Sequence, residues 1–254
     1  VLSKKRRLQR VTLQAHQIAP PLQINSAIAL TSEQRHYLHN VLRLEVGAEF
    51  IALDGKGIWW LAKLVEDTDN AKIIAKIENE TELSAKVILG IAMPKGSNIE
   101  SVIRQTTELG VRQIVPLFSD RTILKPDNEI GKQKRDRWQR IAEEAAELSQ
   151  RTYVPEINPP QTFTTWLSEL SSSTSPILKY IGVTSSNPPH LLTRLQNDLP
   201  IAIAIGCEGG WTDREEAMAI ASGFIPISLG DRVLSAVTAP VVALAIIGAF
   251  LDNK

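Results

Sequence analysis

The chain holds a single cysteine, Cys207, among its 254 residues. No disulfide can close within it, so a disulfide-built scaffold is excluded and an intracellular compartment is favoured. Histidine is almost as scarce, with four residues. His36 and His39, three apart, could share a helix face as metal ligands, but no further Cys or His clusters with them, so no metal is expected. Charge of one sign is not in excess: 28 basic residues offset 28 acidic ones, and no global field draws the chain to nucleic acid. Long apolar runs are missing too. The most apolar stretch, Pro240–Leu251, falls short of the about 20 residues that span a bilayer and reads as a buried helix. The basic start lacks the apolar core of a secretory signal, so a cytoplasmic protein away from membranes is expected.

What is present fits a globular protein of one large domain or two modest ones, with 43% hydrophobic and 22% charged residues. Charge is uneven locally. Lys4, Lys5, Arg6, Arg7 and Arg10 stand close together without an acid, an arm that can meet phosphate or lie solvated.

From Val11 to about Ile77 the pattern is mostly strand-like. Phe50–Leu53 and Ile58–Val65 flank the turn Asp54-Gly55-Lys56-Gly57. Ala71–Ile77 alternates Lys72 and Lys76 with apolar neighbours, as a half-buried strand does. One helix interrupts, capped by Thr31 with Gln34 at the capping-box position, and runs to about Val41. Polar Glu78–Ala85 marks a boundary, which divides the chain into domains 1–80 and 85–254. Beyond it come strand Val87–Ala92, helix Ile99–Leu109 stopped by Gly110, and strand Gln113–Phe118, the order of a parallel α/β unit. Lys134–Ser149 reads as a helix burying Trp138, Ile141, Ala142, Ala145 and Leu148. Ser171–Ser175 reads as a loop, Ile177–Val183 as a strand, and Leu191–Gln196 as a short helix.

The most informative stretch is 201–247. Strand Ile201–Ile205 ends in Gly206-Cys207-Glu208-Gly209-Gly210, and a helix follows from Thr212 and Asp213. Strand Phe224–Ser228 ends in a second glycine loop, Leu229–Leu234, and an apolar helix follows from Thr238. Glycines at strand ends let backbone amides approach a small polar ligand, although a plain strand-to-helix turn needs them as well. The spacing is not the dinucleotide fingerprint, and Pro94-Lys95-Gly96-Ser97 lacks the order of a phosphate loop. Cys207 near a helix start could be an activated nucleophile, but it has no histidine close in sequence and equally suits a small buried residue. Arg232, inside the second loop, can neutralise a carboxylate, a phosphate or a developing oxyanion.

Seven segments in order resemble one family: His36–Leu44, Met93–Gly96, Thr107–Val111, Ser119–Arg121, Ala142–Arg151, Ile205–Trp211 and Leu229–Leu244. The chain resembles the RsmE family, the small-subunit ribosomal RNA methyltransferases E of the SPOUT superfamily. The resemblance implies an α/β protein with an N-terminal PUA-like β-barrel and a C-terminal SPOUT domain tied in a trefoil knot. It implies S-adenosylmethionine as cofactor, held by Gly206, Glu208, Gly209, Gly210, Leu229, Gly230, Leu234, Thr238 and Ala239. It implies methylation of N3 of a uridine in 16S ribosomal RNA of the small subunit, with Arg232 as the catalytic cation, and a homodimer through the last domain. Lys5, Arg6, Arg7, Arg10, His36 and Arg43 are the expected RNA contacts. Family members commonly carry arginine at the position of Ser235 and many carry glutamate at that of Val237. That departure leaves an alternative, a SPOUT-fold RNA-binding or assembly factor of weakened activity, and a second, a methyltransferase for another nucleotide. Cofactor binding separates the first from the main reading.

Overall fold

The structure, a computed structural model, describes residues 8–19, 21–67, 69–78, 81–123, 128–184, 187–196 and 199–253. The chain divides into two compact units, Val1–Thr81 with Gln150–Val154 and Glu82–Ser149 with Pro155–Lys254. Among the described residues, no helix is long and apolar enough to cross a membrane.

The first unit is a five-stranded sheet in the order β1-β3-β4-β5-β2, comprising Arg10–Thr12 (β1), Ala27–Ala29 (β2), Glu49–Leu53 (β3), Trp59–Leu64 (β4) and Asn70–Ile77 (β5). Period-two alternation explains it. On β5, Ala71, Ile73 and Ile77 are buried while Lys72 and Lys76 stay exposed. On β3 the alternation serves two cores. Phe50 and Ala52 join a cluster with Val11, Ile28, Leu38 and Trp60, and Ile51 and Leu53 join one with Trp59 and Leu61. The segment 150–154 closes the unit through Val154 N–H on Gly55 O at 3.1 Å and Gly57 N–H on Thr152 O at 3.0 Å.

The capped helix forms as expected: Thr31 Oγ1 accepts from Gln34 N–H at 3.2 Å, and Gln34 Oε1 accepts from Thr31 N–H at 3.0 Å. Its course differs from the expectation. Only Ser32–Arg35 is α-helical (α1), and His36–Val41 continues as a π-helix. The wider turn closes with Leu42 N–H on Tyr37 O at 2.9 Å and leads to Arg43 at φ 53°. Such turns are rare and frequently mark functional surfaces.

The second unit holds a seven-stranded sheet, paired parallel throughout, in the order β12-β10-β11-β6-β7-β8 with β9 beside β7. These strands are Val87–Ala92 (β6), Gln113–Phe118 (β7), Glu156–Ile157 (β8), Gln161–Thr162 (β9), Leu178–Gly182 (β10), Ile201–Ile205 (β11) and Ile225–Ile227 (β12). β6 and β11 are buried along their whole length, as central strands covered on both faces must be. The helices are Asn98–Glu108 (α2), Asn128–Leu148 (α3), Phe163–Ser172 (α4), Asp213–Ala221 (α5) and Thr238–Asp252 (α6). Gly110, at φ 93°, ends α2 as its position predicts.

Three expectations need correction. Helix α3 begins at Asn128, and Leu148 in its last turn is 77% exposed, so the apolar face outruns its cover by one position. Ser171 and Ser172 belong to α4 rather than to a loop. Leu191–Thr193 is a single 3-10 turn, shorter than the helix expected there.

One face of the sheet packs on α4 and α5. Phe163, Trp166 and Leu167 meet Ile88, Val115, Ala202 and Ala204, and Trp211 stacks on Phe163 at 4.4 Å between centroids. Gly90 on β6 makes this approach possible. A side chain there would meet the Trp166 indole, with Cζ3 and Cζ2 at 2.6 and 2.8 Å from its Cβ, atoms of a rigid ring already 98% buried. Gly90→Ala should therefore destabilise the protein by about 2–3 kcal/mol, the cost typical of an overpacked core. Urea unfolding measures this, and a change below about 0.5 kcal/mol would contradict the packing described.

Candidate active site

The parallel strands β10, β11 and β12 end side by side, and their outgoing loops form a cleft of about 850 Å³. In open α/β sheets this is where ligands bind, outside the carboxyl ends of the strands. The first wall is 205–211, the second 227–236, and the third Gly182–Thr184 with Asn187 and Pro188. All three lie within the second unit.

The first loop is folded tightly on itself. Gly210 N–H reaches Cys207 O at 2.9 Å, and a Cβ at Gly206 would come within 3.1 Å of Gly210 Cα. A side chain at 206 would press on the Gly210 backbone, so glycine suits this close approach. The second loop is braced by its own strand: Gly230 N–H donates to Ser228 Oγ at 2.9 Å, and that hydroxyl donates to Gly230 O at 3.1 Å. The third wall pairs with the second through Ser228 N–H on Pro189 O at 3.0 Å and Leu191 N–H on Ser228 O at 2.9 Å.

A buried carboxylate locks the first loop to the sheet. Glu215 is 2% exposed. Its Oε1 accepts from Asp120 N–H at 2.8 Å, and its Oε2 accepts from Thr212 N–H at 2.9 Å. Thr212 Oγ1 in turn accepts from Glu215 N–H at 3.3 Å, a capping box that opens α5. Asp120 also receives Arg214 Nη2 on both oxygens, at 2.9 and 3.1 Å. Arg121, next in the chain, donates from Nη1 to Gly209 O at 2.5 Å. Lys95 N–H bonds Glu208 Oε1 at 3.0 Å. The loops that follow β6 and β7 thus hold the loop that follows β11.

The expected cofactor residues mostly come together. Gly206, Glu208, Gly209, Gly210, Leu229, Gly230, Leu234 and Ala239 all line the cleft, as does Arg232, which is exposed. Thr238 is not among the lining residues; its N–H donates to Ser235 Oγ at 3.1 Å, in the turn that leads into α6. Cys207 is buried in the core cluster beside Ala204 and Trp211. The sequence reading missed the third wall and Arg121. Asn187-Pro188-Pro189 following a strand was the available signal for the first, and the segment Ser119–Arg121, one of those that carry the resemblance, was the signal for the second.

Of the expected RNA contacts, Lys5, Arg6 and Arg7 lie outside the described residues. His36 and Arg43 are exposed on the first unit. Arg10 is half-buried with its guanidinium 5.2 Å from the Trp59 ring centroid, and burial lowers its pKa from the usual arginine value.

The cleft suits a cationic, partly apolar ligand of nucleoside size. Its volume lies within the range of about 300–1,000 Å³ of small-molecule sites. Glu208, Asp213, Glu216 and Asp231 supply negative charge, and Ile205, Val183, Ile227, Leu229 and Leu234 supply apolar walls. The indole Nε1 of Trp211, against Gly206, is buried without a hydrogen-bond partner, and a buried donor left so costs stability until it finds an acceptor.

Comparison with known proteins agrees with this geometry. Residues 81–248 match the RNA methyltransferase domain family and residues 30–88 the RNA methyltransferase PUA domain family. The chain is 44% identical over 240 residues to the ribosomal RNA small subunit methyltransferase E of Synechocystis, covering 93% of this chain and 77% of that protein. It superposes on the Neisseria gonorrhoeae ribosomal RNA small subunit methyltransferase E bound to S-adenosyl methionine with a TM-score of 0.85 at 26% identity, covering 98% of this chain and 100% of that one. The Legionella pneumophila protein Lpg2936, solved with the bound cofactor SAM, gives 0.83 at 28% identity, covering 96% and 98%.

Removing the Glu215 carboxylate leaves Asp120 N–H and Thr212 N–H without their acceptor. Glu215→Ala should lower stability by about 2–3 kcal/mol and weaken ligand binding in the cleft, read by urea unfolding and calorimetry. A variant as stable as the parent would show that the loops are held by other means.

Proposed function

Because the chain belongs to the ribosomal RNA small subunit methyltransferase E family, we propose that it methylates N3 of a uridine in 16S ribosomal RNA of the small subunit, with S-adenosylmethionine as donor. Its fold is that of the family, a PUA-like N-terminal sheet and a SPOUT-type parallel α/β unit. The observation that carries the reading is the cleft at the ends of β10, β11 and β12, walled by two glycine loops, one closed tightly between Gly206 and Gly210 and one turning at Gly230 with φ 121°, and edged by Arg232.

When bound, S-adenosylmethionine supplies an electrophilic methyl group. The backbone of Gly206, Gly209, Gly210, Leu229 and Gly230 would cradle it, with Leu234 and Ala239 against its apolar part and Glu208 among the carboxylates that balance its positive charge. Thr238 would act from behind, by fixing Ser235 and the start of α6. The nucleophile must be freed of a proton, because the uridine N3 carries one. The anion left is shared with the flanking carbonyl oxygens, and a cation facing them favours it. Arg232 is the residue we assign to that role; it lines the cleft and is exposed to an incoming base. No covalent bond from the enzyme to the base is needed, which agrees with the burial of Cys207.

The first unit would hold RNA through Lys5, Arg6, Arg7, Arg10, His36 and Arg43. In support, the π-helix presents His36, Tyr37 and Val41 exposed on one short segment, followed by Arg43. A homodimer through the second unit fits α6, whose Ala245 and Ala249 are exposed on an apolar helix beside half-buried Val242 and Ile246. The trefoil knot belongs to the same proposal. It is what membership of the family implies for the loops after β11 and β12, which meet in one cleft. A cytoplasmic enzyme follows from a ribosomal substrate.

Arg232→Ala should leave S-adenosylmethionine affinity within about threefold and lower turnover by about 10²–10³-fold, the usual cost of losing one group that stabilises developing charge. Calorimetry and methyl transfer to purified small subunits measure the two. Unchanged turnover would remove Arg232 from the mechanism.

A further inference from the structure

Among the described residues, the cleft is lined by only two cationic side chains, Arg232 and Arg121. Arg232 sits on the loop after β12, and Arg121 reaches the cleft from the loop after β7. Four acids, Glu208, Asp213, Glu216 and Asp231, line the same cleft. A polyanionic strand brought to such a rim meets net repulsion unless a cation is placed to receive it.

Arg121 is placed with unusual care for an exposed arginine. Its Nη1 bonds Gly209 O, and its Cβ and Cδ lie flat over Gly209, each 3.1 Å from where a Cβ would stand. The loop beneath it is braced at every residue. Ser119 N–H donates to Thr122 Oγ1 at 3.0 Å, and Asp120 is held by Glu215, Thr212 and Arg214. The bond to Gly209 O and the contact over Gly209 orient the guanidinium at the edge of the cleft. Asp120 is occupied by Arg214, and none of the described ion pairs includes Arg121. A guanidinium has five N–H donors, and the bond to Gly209 O uses one of them.

We infer that Arg121 is a substrate-binding residue, which takes a backbone phosphate of the RNA strand that delivers the target nucleotide to the cleft. The inference rests on the proposed reading of the cleft as an RNA methyltransferase site. It divides the work between the two cations: Arg232 faces the reacting base, and Arg121 fixes the strand that carries it. It also fits glycine at 209, since a side chain there would press on the Arg121 stem. A fixed guanidinium matches a phosphate through two parallel N–H bonds, which an ammonium cannot reproduce.

The test uses the full chain, S-adenosylmethionine, and small subunits from a strain lacking the modification. Arg121→Gln removes the charge and keeps an amide donor on a shorter stem. It should leave cofactor affinity within about twofold and raise KM for subunits about tenfold with little change in kcat. The slope of log affinity against log salt should become shallower by about 0.7–0.9, the contribution of one phosphate contact. Arg121→Lys should restore the slope but only part of the KM. A parental slope in Arg121→Gln would overturn the inference, as would loss of cofactor affinity matching the rise in KM, which would make Arg121 a brace for the first loop alone. Failure of the parent protein to bind S-adenosylmethionine would instead overturn the methyltransferase reading, so the two failures are distinguishable.

Discussion

The bonds accepted by the Glu215 carboxylate are the constraint on which the cleft depends. One oxygen receives a backbone amide from the loop after β7, and the other receives one from the start of α5. Burying a charge is costly unless it is fully bonded, and here the bonding partners are the loops that must be held still. The helix dipole adds to the effect, because the acid lies in the first turn of α5, where negative charge is favoured. Asp120 and Arg121 inherit their positions from this lock, and through Arg121 so does Gly209. Ligand-binding loops otherwise belong to the least stable parts of a protein. Here the loop is tied to the centre of a sheet whose strands β6 and β11 are wholly buried.

Much of this was legible in the sequence because local chemistry and global fold agree there. A continuous apolar strand, a glycine loop and a Thr-capped helix can be read from 201–221 without any tertiary information. The same holds for Thr31 and Gln34, whose reciprocal bonds formed as their spacing predicts. What escaped was set by distance. Asn187 and Pro188 of the third wall read as a linker until β10 is known to stand between β11 and β12. Arg121 stood out only as part of the segment Ser119–Arg121, and its place at the cleft is seen once the sheet brings the loop after β7 near enough to reach Gly209. Helix α4 is a different case. Phe163, Trp166, Leu167 and Leu170 have helical spacing behind a Thr162 cap, but the surrounding serines and threonines masked it. The π-turn at 36–41 had no sequence signal, since it preserves the apolar anchor Leu38 while adding one residue to the turn.

Ser235 and Val237 are where the chain leaves the pattern of the family it resembles, and the structure gives Ser235 a role. Its hydroxyl accepts the Thr238 N–H at the start of α6, and its carbonyl accepts the Ala239 N–H at 2.9 Å. Ser235 also lines the cleft, at the turn into α6. The positive charge at the cleft comes from two loops on opposite sides of the sheet order, and each cation has a distinct proposed partner: a delocalised base anion for Arg232 and a phosphate for Arg121. Nothing in the structure explains valine at 237.

The central claim is that this cleft delivers a methyl group to a uridine N3 of the small ribosomal subunit. The most direct measurement is mass spectrometry of nucleosides from 16S ribosomal RNA of a strain lacking this protein, compared with the parent and with a strain in which the gene is restored. The account predicts that 3-methyluridine disappears on deletion and returns on restoration, with every other modified nucleoside unchanged. Persistence of 3-methyluridine in the deletion strain, or loss of a different methylated nucleoside, would contradict it.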